Sequence, residues 1–139
     1  MVHYYKVNCV RDNLRLIREF VTVVLRNLSL SEIEVNQLVL AVDEVCSNLI
    51  IYSHNCDPNY FLEINIEDQS GKLLFEIIDK DADNFNMAEY KEPKIANIIK
   101  ERRKGGVGLM LVNRIMDSVE VAVEDQRSVW RMTKKIAAG

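Results

Sequence analysis

Residues 60–79 read Tyr60-Phe61-Leu62-Glu63-Ile64-Asn65-Ile66-Glu67-Asp68-Gln69-Ser70-Gly71-Lys72-Leu73-Leu74-Phe75-Glu76-Ile77-Ile78-Asp79. Apolar and polar residues alternate along Tyr60–Glu67, a period of two that sends successive side chains to opposite faces of a strand. Asp68-Gln69-Ser70-Gly71 is turn chemistry, and Lys72–Asp79 is a second β-rich run, so the stretch predicts a hairpin. What precedes it has a different period. Leu14, Leu16, Ile17, Phe20, Val21, Val24, Leu25 and Leu28 recur at helical spacing, with Asp12 or Asn13 expected to cap the helix. A second helix is predicted from Ser31, where Ser31 and Glu34 form a capping-box pair, to about Ser53 or His54, before the turn-forming Asn55-Cys56-Asp57-Pro58. That helix is apolar around much of its circumference, which implies burial between other elements.

Working outward, residues 3–9 (HYYKVNC) predict an opening strand, and Lys80 to about Pro93 a polar loop. Lys94 to about Lys104 is a weaker helical stretch, and Gly105-Gly106-Val107-Gly108 a bend leading into a helix from Leu109 to Met116. Val119–Glu124 and Ser128–Thr133 then predict a second hairpin around Asp125-Gln126. The order β-αα-ββ-loop-α-α-ββ predicts an α/β two-layer sandwich: a mostly antiparallel sheet with its helices gathered on one face. At 139 residues the chain is expected to be one domain, 1–139, with a sizeable core.

The charge balance, Lys+Arg 18 against Asp+Glu 21 for a net −3, disfavours sequence-independent nucleic-acid binding, which depends on a basic face. No apolar run approaches the roughly 20 residues of a membrane span, and the N-terminus lacks the basic-then-apolar order of a signal peptide. Cys9, Cys46 and Cys56 are odd in number and lack metal-ligand spacing. A cytoplasmic location with reduced thiols is therefore expected.

Three places carry potential chemistry. Glu44 and Asn48 are four apart on the second helix and project from one face, so a carboxylate and an amide stand together there. That pair suits a divalent cation and a water or hydroxyl; spacing alone also allows a polar surface stripe. Lys100-Glu101-Arg102-Arg103-Lys104 runs into Gly105-Gly106-Val107-Gly108-Leu109, where backbone N–H groups and a helix dipole would favour an anion. By itself this is equally a tight turn after a basic helix. Asp79 ends a hydrophobic strand and is suited to accept a hydrogen bond from a base's amino group; alone it reads as a turn former.

Taken in order, Ala41-Val42-Asp43-Glu44-Val45-Cys46-Ser47-Asn48, the strand ending at Asp79, and Gly105-Gly106-Val107-Gly108-Leu109 resemble the GHKL ATPase family (histidine kinase-like, or Bergerat-fold, ATPases). The match is nearest its anti-sigma regulatory factor and serine-protein kinase branch. Leu111-Val112-Asn113-Arg114-Ile115-Met116-Asp117-Ser118-Val119 is similar to that branch's L-V-x-x-x-M-D-x-V, and Val129–Lys134 to its final strand. The resemblance implies ATP and Mg²⁺ as ligands. Asn48 would coordinate the metal, Glu44 would act as base or polarising group, and Asp79 would accept from the adenine amino group. The box Gly105, Gly106, Val107, Gly108 and Leu109 would cover the phosphates, with Arg103 or Lys104 neutralising charge on the γ-phosphate.

The implied function is an anti-sigma factor in transcription regulation that sequesters a sigma factor and phosphorylates a serine of its antagonist protein; the resemblance also implies a homodimer. One departure stands out: the family's middle box, D-x-G-x-[GP]-F, is here Asp79-Lys80-Asp81-Ala82-Asp83-Asn84-Phe85. A β-carbon and a charge at position 81 crowd the base, and added carboxylates oppose a triphosphate. That departure motivates a second reading, a non-catalytic or weakly nucleotide-binding regulatory module of the same fold. A sensor-kinase catalytic domain is disfavoured because His3 falls in a predicted strand.

Overall fold

The computed structural model describes residues 2–80, 105–124 and 127–136. Five strands, β1 (Val2–Asn8), β2 (Phe61–Asp68), β3 (Lys72–Asp79), β4 (Ser118–Glu124) and β5 (Arg127–Lys135), form one sheet in the order β1-β2-β3-β5-β4. Every pairing in it is antiparallel. Helices α1 (Asn13–Arg26), α2 (Glu32–Ser47) and α3 (Gly105–Ile115) complete the two-layer α+β architecture expected from the order of elements. The expected loop from Lys80 and the weak helix near 94–104 fall, apart from Lys80, outside the described residues, as does the turn at 125–126.

Register explains the core. In β3 the side chains of Leu73, Phe75, Ile77 and Asp79 share one face. Across the ladders they meet Ile66 and Ile64 of β2 and Met132 and Trp130 of β5. All of these are buried, with Phe75 at the centre. Trp130 of β5 faces inward and is buried. The β2–β3 turn falls where the sequence predicted it. Ser70 and Gly71 take positive φ (49° and 93°), a conformation glycine adopts without steric cost, and the Gln69 N–H bonds to the Lys72 carbonyl at 2.8 Å.

α1 buries Leu14, Ile17, Val21, Val24 and Leu25, and half-buried Phe20 stacks on Tyr5 of β1 with centroids 4.9 Å apart. Its expected side-chain cap is absent: Asp12 occupies the cap position in helical backbone and caps nothing. Asn13 Nδ2 instead donates to the Asn8 carbonyl (3.0 Å) and to Asn8 Oδ1 (2.7 Å), tying the helix start to the end of β1. The capping box of α2 is complete. Ser31 Oγ accepts from the Glu34 N–H (3.1 Å), and the Ser31 N–H donates to Glu34 Oε1 (3.0 Å). That backbone bond holds the Glu34 carboxyl below its usual pKa.

The helical run Glu32–Ser53 proves long and apolar enough, by length and composition, to cross a membrane, contrary to the sequence expectation. Its packing is that of a core helix. α2 lies against α1, α3 and β3, and buries Val35, Leu38, Ala41, Val42, Val45 and Cys46 within the domain.

Candidate functional site

Glu44 and Asn48 stand one turn apart on α2, as the spacing predicts. Asn48 is 8% exposed, and its Nδ2 donates to the Glu44 carbonyl at 2.7 Å. That bond anchors the amide on the helix backbone and sets which of its ends turns away from it. Glu44 is half-buried, and its carboxyl pKa is raised, first by burial and then by the neighbouring charge of Asp43. Asp43 itself turns to α1, where Arg18 Nη1 lies 3.2 Å from its Oδ1.

Beyond Asn48 the helix widens. Residues Asn48–Ser53 form a π-helical turn, and the His54 N–H reaches back five residues to the Leu49 carbonyl at 2.9 Å. Asn55 and Cys56 then take left-handed φ (52° and 56°) and end the run, a role Asn fills readily at helix ends. π turns of this kind recur at functional sites. This one delivers His54 to the sheet. His54 Nε2 lies 2.7 Å from Asp79 Oδ2, with residue exposures of 4% and 0%, and the imidazole stacks on Tyr60 at 4.4 Å.

Asp79 is buried because strand parity puts it on the core face. Its register partners are Leu62 on β2 and Ser128 on β5. Ser128 is also 0% exposed, and its Oγ finds no hydrogen-bond partner among the described residues. A buried hydroxyl without a partner costs about 1–3 kcal/mol, which makes Ser128 a polar group that the described residues leave unanswered.

The glycine box differs from expectation in one respect. Gly105, Gly106, Val107 and Gly108 are the first turn of α3 and not a bend before it. The backbone N–H groups of that turn have no intrahelical acceptor, and no acidic residue occupies it. Leu109, Val112 and Met116 are buried, and α3 packs along α2. Arg103 and Lys104 lie outside the described residues, as do Asp81 and Asp83. No group of three or more His, Cys, Asp or Glu side chains suited to a metal occurs among the described residues. The donor set fits Mg²⁺ carried mainly by phosphates and touched by one or two protein oxygens, since that ion seldom uses an all-protein cage. A hollow of about 390 Å³ lined by Arg11, Asp12, Leu14, Arg15 and Arg18 includes none of these residues.

The structure thus joins Asn48 to Glu44, and Asp79 to His54 and Ser128. Sequence reasoning missed the last two. His54 read as a helix end, which it is, and nothing in its spacing pointed to Asp79, 25 residues away. Ser128 required the β3–β5 register.

A family model for the histidine kinase-like ATPase domain matches residues 10–134. The chain belongs to that family. It is 26% identical over 105 residues to the serine-protein kinase RsbW of Halalkalibacterium halodurans, covering 73% of this chain and 62% of that protein. It is 28% identical over 106 residues to the anti-sigma F factor of Oceanobacillus iheyensis, covering 75% and 71%. The match therefore spans under two-thirds of the RsbW protein's length. Two solved structures share the fold at a TM-score of 0.68. One holds the RsbU and RsbW domains of Rv1364c from Mycobacterium tuberculosis (9% identity; 97% of this chain, 32% of that chain). The other is the SiaB–SiaC complex from Pseudomonas aeruginosa (11% identity; 96% and 88%). The named relatives fall in the anti-sigma and serine-protein kinase branch that the sequence motifs resemble.

Proposed function

We propose that this chain is a cytoplasmic ATP–Mg²⁺-binding protein serine/threonine kinase of the anti-sigma type, which sequesters a sigma factor and phosphorylates a serine of its antagonist. The observation that carries the reading is the buried Asp79 carboxylate, met by His54 from the turn that follows Asn48, with the Ser128 hydroxyl across the ladder lacking a partner among the described residues. A carboxylate accepts and a hydroxyl donates and accepts, which together suit the amino and ring-nitrogen edge of adenine. The names of the relatives support the partner class.

In this reading the amide oxygen of Asn48 would hold the metal and the first-turn N–H groups of α3 would bind phosphate oxygens, while Arg103 or Lys104 would neutralise charge on the γ-phosphate. When bound, Mg²⁺ supplies neutralisation of the triphosphate charge. Glu44 acts on the incoming serine. Its burial-raised pKa makes it a stronger base than an exposed glutamate. It takes the hydroxyl proton as the serine oxygen bonds to the γ-phosphorus and ADP departs. Positioning and electrostatics do most of the work in such transfers.

Isothermal titration with ATP, ADP and Mg²⁺ tests the reading, repeated on Asn48→Ala and Asp79→Asn. Loss of binding in both variants is expected; a native protein that binds no nucleotide refutes it. The second reading, a regulatory binding module without catalysis, is favoured by Asp81 and Asp83 in the middle box. Transfer of labelled γ-phosphate to a cognate antagonist would exclude that alternative.

A further inference from the structure

We infer that His54 is a positioning residue for base recognition: its ring donates from Nε2 to Asp79 Oδ2 and so presents Asp79 as a hydrogen-bond acceptor, selecting a base edge that bears an amino group. This rests on the nucleotide-binding reading above and adds to it the residue that sets the sign of the contact.

A carboxylate removed from water is stable only when charge or donors answer it. His54 Nε2 lies 2.7 Å from Asp79 Oδ2 with both side chains withdrawn from solvent. Two protonation patterns satisfy that distance. With the hydrogen on Nε2, Asp79 is a carboxylate and accepts. With the hydrogen on Asp79, its one O–H is either spent on the ring or, where the ring does not take it, donated to a carbonyl on the base. The first pattern discriminates an amino group from a carbonyl; the second blurs them.

Three fixtures hold the ring where it can impose the first pattern. The π-helical turn pins its backbone through the His54 N–H and the Leu49 carbonyl. Tyr60 stacks on its face at 27° between planes. Its neighbour Asn55, in left-handed backbone, directs the chain away. These serve no evident purpose for a histidine that only fills space. An apolar side chain would do so without a buried polar pair.

The test compares ADP with inosine diphosphate, which carries a carbonyl where adenine carries its amino group, on native protein, His54→Ala and His54→Gln. Native protein should prefer ADP by about tenfold or more, the weight of one hydrogen bond to a charged group. His54→Ala should bring that ratio towards one. His54→Gln, which keeps an N–H donor, should retain most of it. A loss confined to packing would weaken both ligands alike, so an unchanged ratio in His54→Ala overturns the proposal. Native protein binding neither nucleotide refutes the nucleotide reading itself, and this inference falls with it.

A measurement on unmodified fold guards against a variant that does not fold. In ¹⁵N-histidine spectra, with His3→Gln used to assign the two rings, native protein should show a hydrogen on His54 Nε2. That resonance should shift with ADP and not with inosine diphosphate. A ring hydrogen found on Nδ1 alone, or equal responses to the two ligands, overturns the proposal.

Discussion

Breaking the His54–Asp79 pair should cost far more than a surface ion pair would. Both side chains are almost fully buried and 2.7 Å apart. Removing one partner of a buried, hydrogen-bonded charged pair typically costs about 3–5 kcal/mol, because the other is left desolvated. His54→Ala and Asp79→Ala should each fall in that range, and His54→Ala also gives up the stack on Tyr60. The double variant removes both groups at once, so its cost should fall short of the sum by about 2 kcal/mol. For a domain of this size, a urea slope of about 2 kcal/mol per molar turns each single loss into a midpoint drop of roughly 1.5–2.5 M. Equilibrium urea unfolding of the four proteins, followed by circular dichroism at constant slope, measures this directly. Additivity within about 0.5 kcal/mol would show that the two groups do not interact energetically, and would refute the reasoning.

Phe75→Ala should cost about 3–5 kcal/mol and Leu74→Ala under about 1.5, since neighbouring positions of β3 face opposite sides of the sheet; comparable urea midpoints would contradict the register. Ser31→Ala should lose about 1 kcal/mol with the α2 cap, read as a fall in melting temperature. Because Glu34 is held below its usual pKa, its half of the capping box is present above the ordinary carboxylate range. It is lost as pH falls through the lowered value, which a melt series in acid would reveal as a narrowing gap between native protein and Glu34→Gln. Glu44 has the opposite sign. Its raised pKa favours the folded state at low pH and opposes it as pH rises through that value, so Glu44→Gln should gain melting temperature over native protein from about pH 4 to neutrality and show little difference below.

Period and turn chemistry carried most of the architecture. Alternation in Phe61–Asp68 and the Ser70-Gly71 turn fixed the β2–β3 hairpin, and the Ser31/Glu34 box marked where α2 begins. The start of α1 departs from the capping rule because Asn13 makes a tertiary contact to Asn8 that no local rule anticipates, and Asp12 caps nothing. Three glycines in Gly105–Gly108 disfavour helix and predict a bend, yet the helix packed through Leu109 and Val112 begins at Gly105. Within the site, Glu44 and Asn48 were legible because their contact is local, one helical turn. Asp79, His54 and Ser128 come together only through a helix end and a strand register, and neither is written in the spacing of those residues.

The widened turn after Asn48 also separates the two halves of the site mechanically. In an ordinary α-helix each residue advances the phase by about 100°. Deleting one residue between Leu49 and Ser53 would let the helix tighten, swinging the imidazole sideways off the strand terminus, while Glu44 and Asn48 upstream kept their azimuth. The Glu44–Asn48 end and the His54–Asp79 end are thus geared separately, and a single insertion or deletion between them should shift one without turning the other.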